Sequence, residues 1–268
     1  MVSSSLTSRS YRPSPGEFSL APAAAALASA LPTWPPPTPP ERCSHCVSTH
    51  DELALAQPLE AISPELISRF VRKVGTTWGN AEDLRRMTPR VLTLAADHQL
   101  NVSRTLVWQK LRWAQWTHWP EAERDAVGRF LVAEFTRLLR VSPRPAHVAH
   151  RWLAEVSAGI DDLSGFLTVW HDAIGPLPDR SIQRAAVSHL IELLTTSPLR
   201  PDLPATMAHV FPHSTSAAEQ VTAFLSGPGI DLDLRRAATE LAGTPQSRRV
   251  NVAVERLRRF RDAVERID

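Results

Sequence analysis

From about residue 51 onward this chain repeats one signal: a helix start followed by apolar residues at helical spacing. Ser63-Pro64-Glu65 is the clearest case, with a capping hydroxyl, a proline at the first helical position and an acid in the first turn. Leu66, Ile67, Phe70, Val71 and Val74 then recur at intervals of three and four. No segment alternates polar and apolar residues over a convincing strand length. The expected fold class is all-α, either an irregular multi-helix bundle or a short helical solenoid.

Gly75 and Gly79 bracket a break at Thr76-Thr77-Trp78. Asn80 is expected to cap a short helix through Met87, with Thr88-Pro89 restarting another because Pro89 has no N–H to donate. Residues 103–118 read as one helix, apolar nearly all round and therefore central. Pro120 opens the next, with Glu121 and Glu123 early and Arg137 and Arg140 late, as the macrodipole favours. Further helices are expected at 145–157, 161–174, 180–196, 203–211, 216–226, 231–242 and 245–267. Asp161, Asp179 and Asp231 are expected caps, Ser216 with Glu219 forms a capping box, and Gly227 and Gly243 are stops.

Residues 1–42 differ. Nine of the 23 prolines stand there among Ser and Ala. The composition predicts a disordered tail ahead of a single helical domain over 43–268, with a subdivision near 197–204. Leu20 to Ala30 has the outline of a secretory signal, but Pro22 interrupts it and alanine makes a weak apolar core for one. Trp34 reads as an exposed residue of that tail.

Net charge is +2 and the basic residues are nearly all Arg, the pattern of a GC-rich bacterial genome. So small a balance gives no mandate for nucleic acid. No apolar run reaches membrane-spanning length, so no membrane partner is expected. Two cysteines close together form no disulfide framework, which points to a reducing, cytoplasmic compartment.

Those cysteines carry the strongest motif, Cys43-Ser44-His45-Cys46 followed by His50. Two thiolates three residues apart reach one ion from a tight turn, so Cys43, Cys46 and His50 (or His45) are the candidate ligands of a zinc knuckle. A fourth ligand has to come from elsewhere, among His98, His118, His147, His150 and His171. A redox pair and two plain thiols are the competing readings. His147 and His150, at i,i+3, read as two surface histidines.

Trp108, Trp113, Trp116 and Trp119 read mainly as a Trp-rich core. Trp119, just before Pro120, is expected to reach the surface, and Trp78 and Trp119 are the candidate partner-binding anchors. The last helix bears seven arginines from Arg248 to Arg266 over an apolar seam of Val250, Ala253, Leu257, Phe260, Val264 and Ile267. With 231–242 it offers a helix-turn-helix reading for DNA. Its i,i+4 pairs, such as Glu255 with Arg259 and Arg258 with Asp262, favour a solvated face instead. No nucleophile elbow, phosphate-cradling loop, His-Glu-x-x-His or dinucleotide fingerprint occurs.

Three stretches together, Cys43 to Ser48, Thr76-Thr77-Trp78-Gly79, and Trp113 to Trp119 followed by Pro120-Glu121-Ala122-Glu123, resemble a bacterial family of uncharacterised helical proteins. The resemblance runs from about residue 43 to 140. The family carries aromatic and His residues where this chain has Arg85, Arg86 and Met87. It implies the helical fold and the domain start, and no activity. The expected function is a non-catalytic interaction or scaffold protein with a zinc knuckle and a protein partner. The alternatives are a metal-assisted enzyme with a helical pocket and a DNA-binding regulator using 231–267.

Overall fold

A computed structural model describes residues 19–144, 147–196, 206–244 and 246–266. Among these the chain is all-α, with isolated bridges at Arg42 with Trp78 and at Arg144 with His147 in place of any strand. It divides into two compact units. The N-terminal unit comprises described residues 19–134 together with Ala158–Ile160, and the C-terminal unit comprises 135–157 and 161–266. The subdivision expected near 197–204 falls outside the described residues.

The N-terminal unit holds α1 (Leu20–Ala30), α2 (Thr49–Leu55), α3 (Pro64–Lys73), α4 (Ala81–Ala96), α5 (Arg104–Trp113) and most of α6 (Glu121–Leu139). The tail expected over residues 1–42 is corrected from residue 19 onward. Alanine is the best helix former, and Leu27 and Leu31, four apart, bury one face of this segment as α1 packs on α4. Trp34 is a core residue: its Nε1 donates to Leu55 O at 2.9 Å and its ring meets Phe70 edge-on at 6.4 Å.

Pro89 does not divide α4. The helix runs through it because Leu84, Met87, Val91, Leu92 and Leu94 bury a continuous face on both sides. Asn80 closes a capping box with Asp83 at its start. The helix expected over 103–118 does break. Gln115 turns left-handed (φ 52°), ending α5 at Trp113 and leaving Trp116–His118 as a single 3-10 turn. Gly159 lies against this region, where an added Cβ would stand 2.7 Å from Trp108 O, while Trp116 Nε1 donates to Gly159 O at 2.9 Å. Only a residue without a side chain fits there.

The C-terminal unit holds α7 (Ala149–Val156), α8 (Ser164–Ile174), α9 (Arg180–Thr196), α10 (Met207–Val210), α11 (Thr215–Ser226), α12 (Pro228–Glu240) and α13 (Ser247–Val264). Phe135 sits at its aromatic centre, with Trp152 at 4.9 Å, Phe166 at 5.8 Å and Trp170 at 6.2 Å. The seam of α13 is buried at Val250, Ala253, Leu257 and Phe260 and lies against α9, α11 and α12. The cap of α11 is Ser214, whose Oγ accepts Ala217 N–H at 3.1 Å, so Ser216 does not begin the helix. Asp231 lies inside the first turn of α12, behind Gly227 and Pro228.

Two histidines are built into this unit. His189 lies 3.0 Å from both Leu138 O and Val141 O through Nε2, and its Nδ1 accepts Ala149 N–H at 3.3 Å. That pattern requires the neutral Nε2–H tautomer. His150 is no surface histidine: it is 8% exposed, and its Nδ1 has no hydrogen-bond partner among the described residues. Burial, helped by Arg151, pushes its pKa from 6.5 down to about 4. Burial lowers that of His189 as well.

A base whose folded pKa lies below its unfolded one favours unfolding when it gains a proton. The stability tied to neutral His150 is therefore complete above pH 6.5 and is lost as pH falls toward 4. A full shift of this size corresponds to about 3 kcal/mol. Urea unfolding of His150→Leu across this range will show a shallower pH slope than that of the wild-type protein. An unchanged slope contradicts the assignment.

Candidate functional site

Arg42 to Val47 forms a tight turn in which Cys46 N–H and Val47 N–H both donate to Cys43 O at 3.0 Å. Its ends are tied to the chain around it. Cys43 N–H donates to Thr77 O at 2.9 Å and Gly79 N–H to Glu41 O at 2.7 Å. Lys73 Nζ donates to Cys46 O. Arg42 donates to Val47 O at 3.1 Å and pairs with Glu52 at 2.7 Å. Val47 points into the core, and Ser48 caps α2 through Asp51 N–H at 3.1 Å.

The loop that receives the turn follows α3. Gly75 and Gly79 take φ of 78° and 71°, the left-handed region that favours glycine, and Gly75 N–H donates to Gly79 O at 3.1 Å. Thr76, Thr77 and Trp78 all donate backbone N–H groups to Lys73 O at 3.0 to 3.3 Å. Trp78 plugs the loop into the core, 2% exposed and edge-on to Phe70 at 5.7 Å. Lys110 Nζ donates to Val74 O at 2.7 Å and stands 6.0 Å from the centre of the Trp113 ring. Trp113 covers Gly75 so closely that an added Cβ would lie 2.5 Å from its ring. The two cysteines, both lysines of the chain and its exposed tryptophan thus meet around one five-residue loop.

The thiols are exposed and unlike each other. The backbone N–H dipoles of Cys46 and His45, the neighbouring Cys46 thiol and the positive charge of Lys73 all favour the Cys43 thiolate. Together they hold the Cys43 pKa below the usual thiol range. Cys46, which shares its proton with Cys43, is pushed up. The turn therefore presents two unlike sulfurs side by side, the outline of a two-thiolate ligand pair or of a dithiol.

The other expected site residues are placed differently. His50 projects into solvent, its side chain 91% exposed and its Nδ1 3.9 Å from Asp51. Among the described residues no three His, Cys, Asp or Glu side chains gather as a metal site, so His50 does not join Cys43 and Cys46. His45 is nearer, with Nδ1 4.0 Å from Cys46 sulfur. The two expected surface anchors are corrected. Trp78 is buried, and Trp119 is 8% exposed, with Nε1 donating to Ala114 O at 3.1 Å. The surface tryptophan is Trp113, 46% exposed. Its exposure follows from the break at Gln115, which turns Trp116 inward and leaves Trp113 on the last residue of α5.

The arginines of α13 are largely engaged within their own unit. Arg249 pairs with Glu192 at 2.8 Å, Arg256 donates to Leu194 O and Thr195 O, and Arg258 and Arg259 share Glu255. The shallow groove along this face, lined by Arg248, Asn251, Val252, Glu255 and Arg259, is accordingly one whose central carboxylate is already taken. Among the described residues no helix is long and apolar enough to cross a membrane.

No family model, curated protein or solved structure matches this chain. The cysteine turn bonds to Thr77, and Trp113 covers Gly75.

Because the thiolate is the reactive form, Cys43 will alkylate faster than Cys46 in reduced protein near neutral pH. Mass spectrometry after brief iodoacetamide treatment reads the ratio. Equal labelling, or faster labelling at Cys46, contradicts this ordering of the two thiols.

Proposed function

We propose that this chain is a non-catalytic helical interaction protein whose docking element is a thiolate metal knuckle, with Cys43 and Cys46 as ligands and zinc as the ion. The supporting observation is that two exposed sulfurs share one turn, and that this turn is fastened by backbone bonds to Thr77 and Glu41 and by Lys73. A pair held this way loses little conformational entropy when an ion arrives. The surroundings of Cys43 favour the thiolate that a metal needs. Thiolates select thiophilic ions, and zinc accepts two of them in a tetrahedral set.

Two sulfurs fill half of that set. The remaining positions are available to a partner's side chains, which links metal binding to interaction. Trp113 beside the same loop supplies an apolar rim, in the role first expected of Trp78 and Trp119.

Metal content is the direct test. Protein kept reduced, loaded with zinc and desalted will retain the ion, and Cys43→Ser and Cys46→Ser will each lose it. Because both thiols are exposed, the variants will keep the wild-type helical circular dichroism and melting temperature. Wild-type protein that retains no zinc, or variants that retain as much as it does, would end this reading.

A further inference from the structure

We infer that the partner is a second copy of this chain, with one zinc ion shared between the Cys43–Cys46 turns of two protomers. The inference builds on the metal knuckle proposed above and names what completes it.

The first argument is ligand number. Structural zinc sites are closed by four ligands. This chain brings two sulfurs to one exposed turn, and among the described residues no third His, Cys, Asp or Glu joins them. Two identical turns facing each other supply four sulfurs without any further residue. The symmetry is the simplest available, a twofold axis through the ion, so that each turn meets its own copy.

The second argument is charge. Four thiolates around a dication leave a net double negative charge, which is costly to enclose between two proteins. Lys73 stands beside the turn, fixed by its bond to Cys46 O. Two protomers bring two such ammonium groups and balance the site. Such neighbouring groups tune a thiolate site.

The third argument is access. Cys43, Ser44, His45 and Cys46 are all exposed, and the turn is backed by buried Val47. Nothing on the turn itself stands between its sulfurs and a second copy.

Native mass spectrometry of full-length reduced protein tests this, with zinc alone as the added ligand. The expected result is a monomer in chelator and, on adding zinc, a doubled mass carrying one ion per two chains. Cys43→Ser and Cys46→Ser will stay monomeric at the same zinc concentration. A monomer that retains one zinc per chain would overturn the dimer and leave the knuckle standing. No retained zinc would remove both. A dimer that persists in chelator, or in both serine variants, would also overturn the shared ion.

Discussion

The reversal of the chain between Gly75 and Gly79 is the constraint on which the candidate site depends. Two left-handed glycines let three successive N–H groups fold back onto Lys73 O and leave Thr77 O facing outward. That carbonyl receives Cys43 N–H, and Gly79 N–H returns to Glu41 O. Trp78 fixes the loop from beneath and Trp113 covers it from above. Without this frame the segment around Cys43 would be a polar surface stretch with little to order it. With it, two sulfurs stand on a turn whose backbone groups are already satisfied.

The site and the buried core follow different rules. Around the loop, charged and polar groups end on backbone carbonyls: Lys73 on Cys46, Lys110 on Val74 and Arg42 on Val47. Each pins a stretch of chain outside the regular helices. In the C-terminal unit the polar group at the centre is instead a neutral imidazole, with His189 joining the end of α6 to the start of α7. The first arrangement concentrates positive charge beside thiols. The second contributes to stability only while uncharged.

Much of the fold is legible in the sequence because capping chemistry is local. Ser63, Asn80 and Asp179 each accept the N–H groups that their spacing predicts. The misreadings come where tertiary packing overrides a local rule. Pro89 is carried inside α4 by a buried face on both sides of it. Residues 19–34 fold onto the core because a few well-spaced apolar side chains, Leu27, Leu31 and Trp34, outweigh a composition that reads as disordered. The break at Gln115 has no strong residue signal, since a left-handed glutamine is uncommon. That break decides which tryptophan is exposed, so the surface role passed to Trp119 in the sequence when it belongs to Trp113. The cysteine pair was visible as a motif. Its union with Lys73 was not, because Lys73 reaches it from the end of α3.

The central claim is that Cys43 and Cys46 hold a thiophilic ion through sulfur. Cobalt(II), which takes zinc sites and is coloured, reads this directly. Titrated into reduced, metal-free protein, it is predicted to give a sulfur-to-cobalt charge-transfer absorption and tetrahedral visible bands that zinc then displaces. Both will be absent in Cys43→Ser. A pale spectrum of hydrated cobalt in the wild-type protein, unchanged by zinc, would contradict the account.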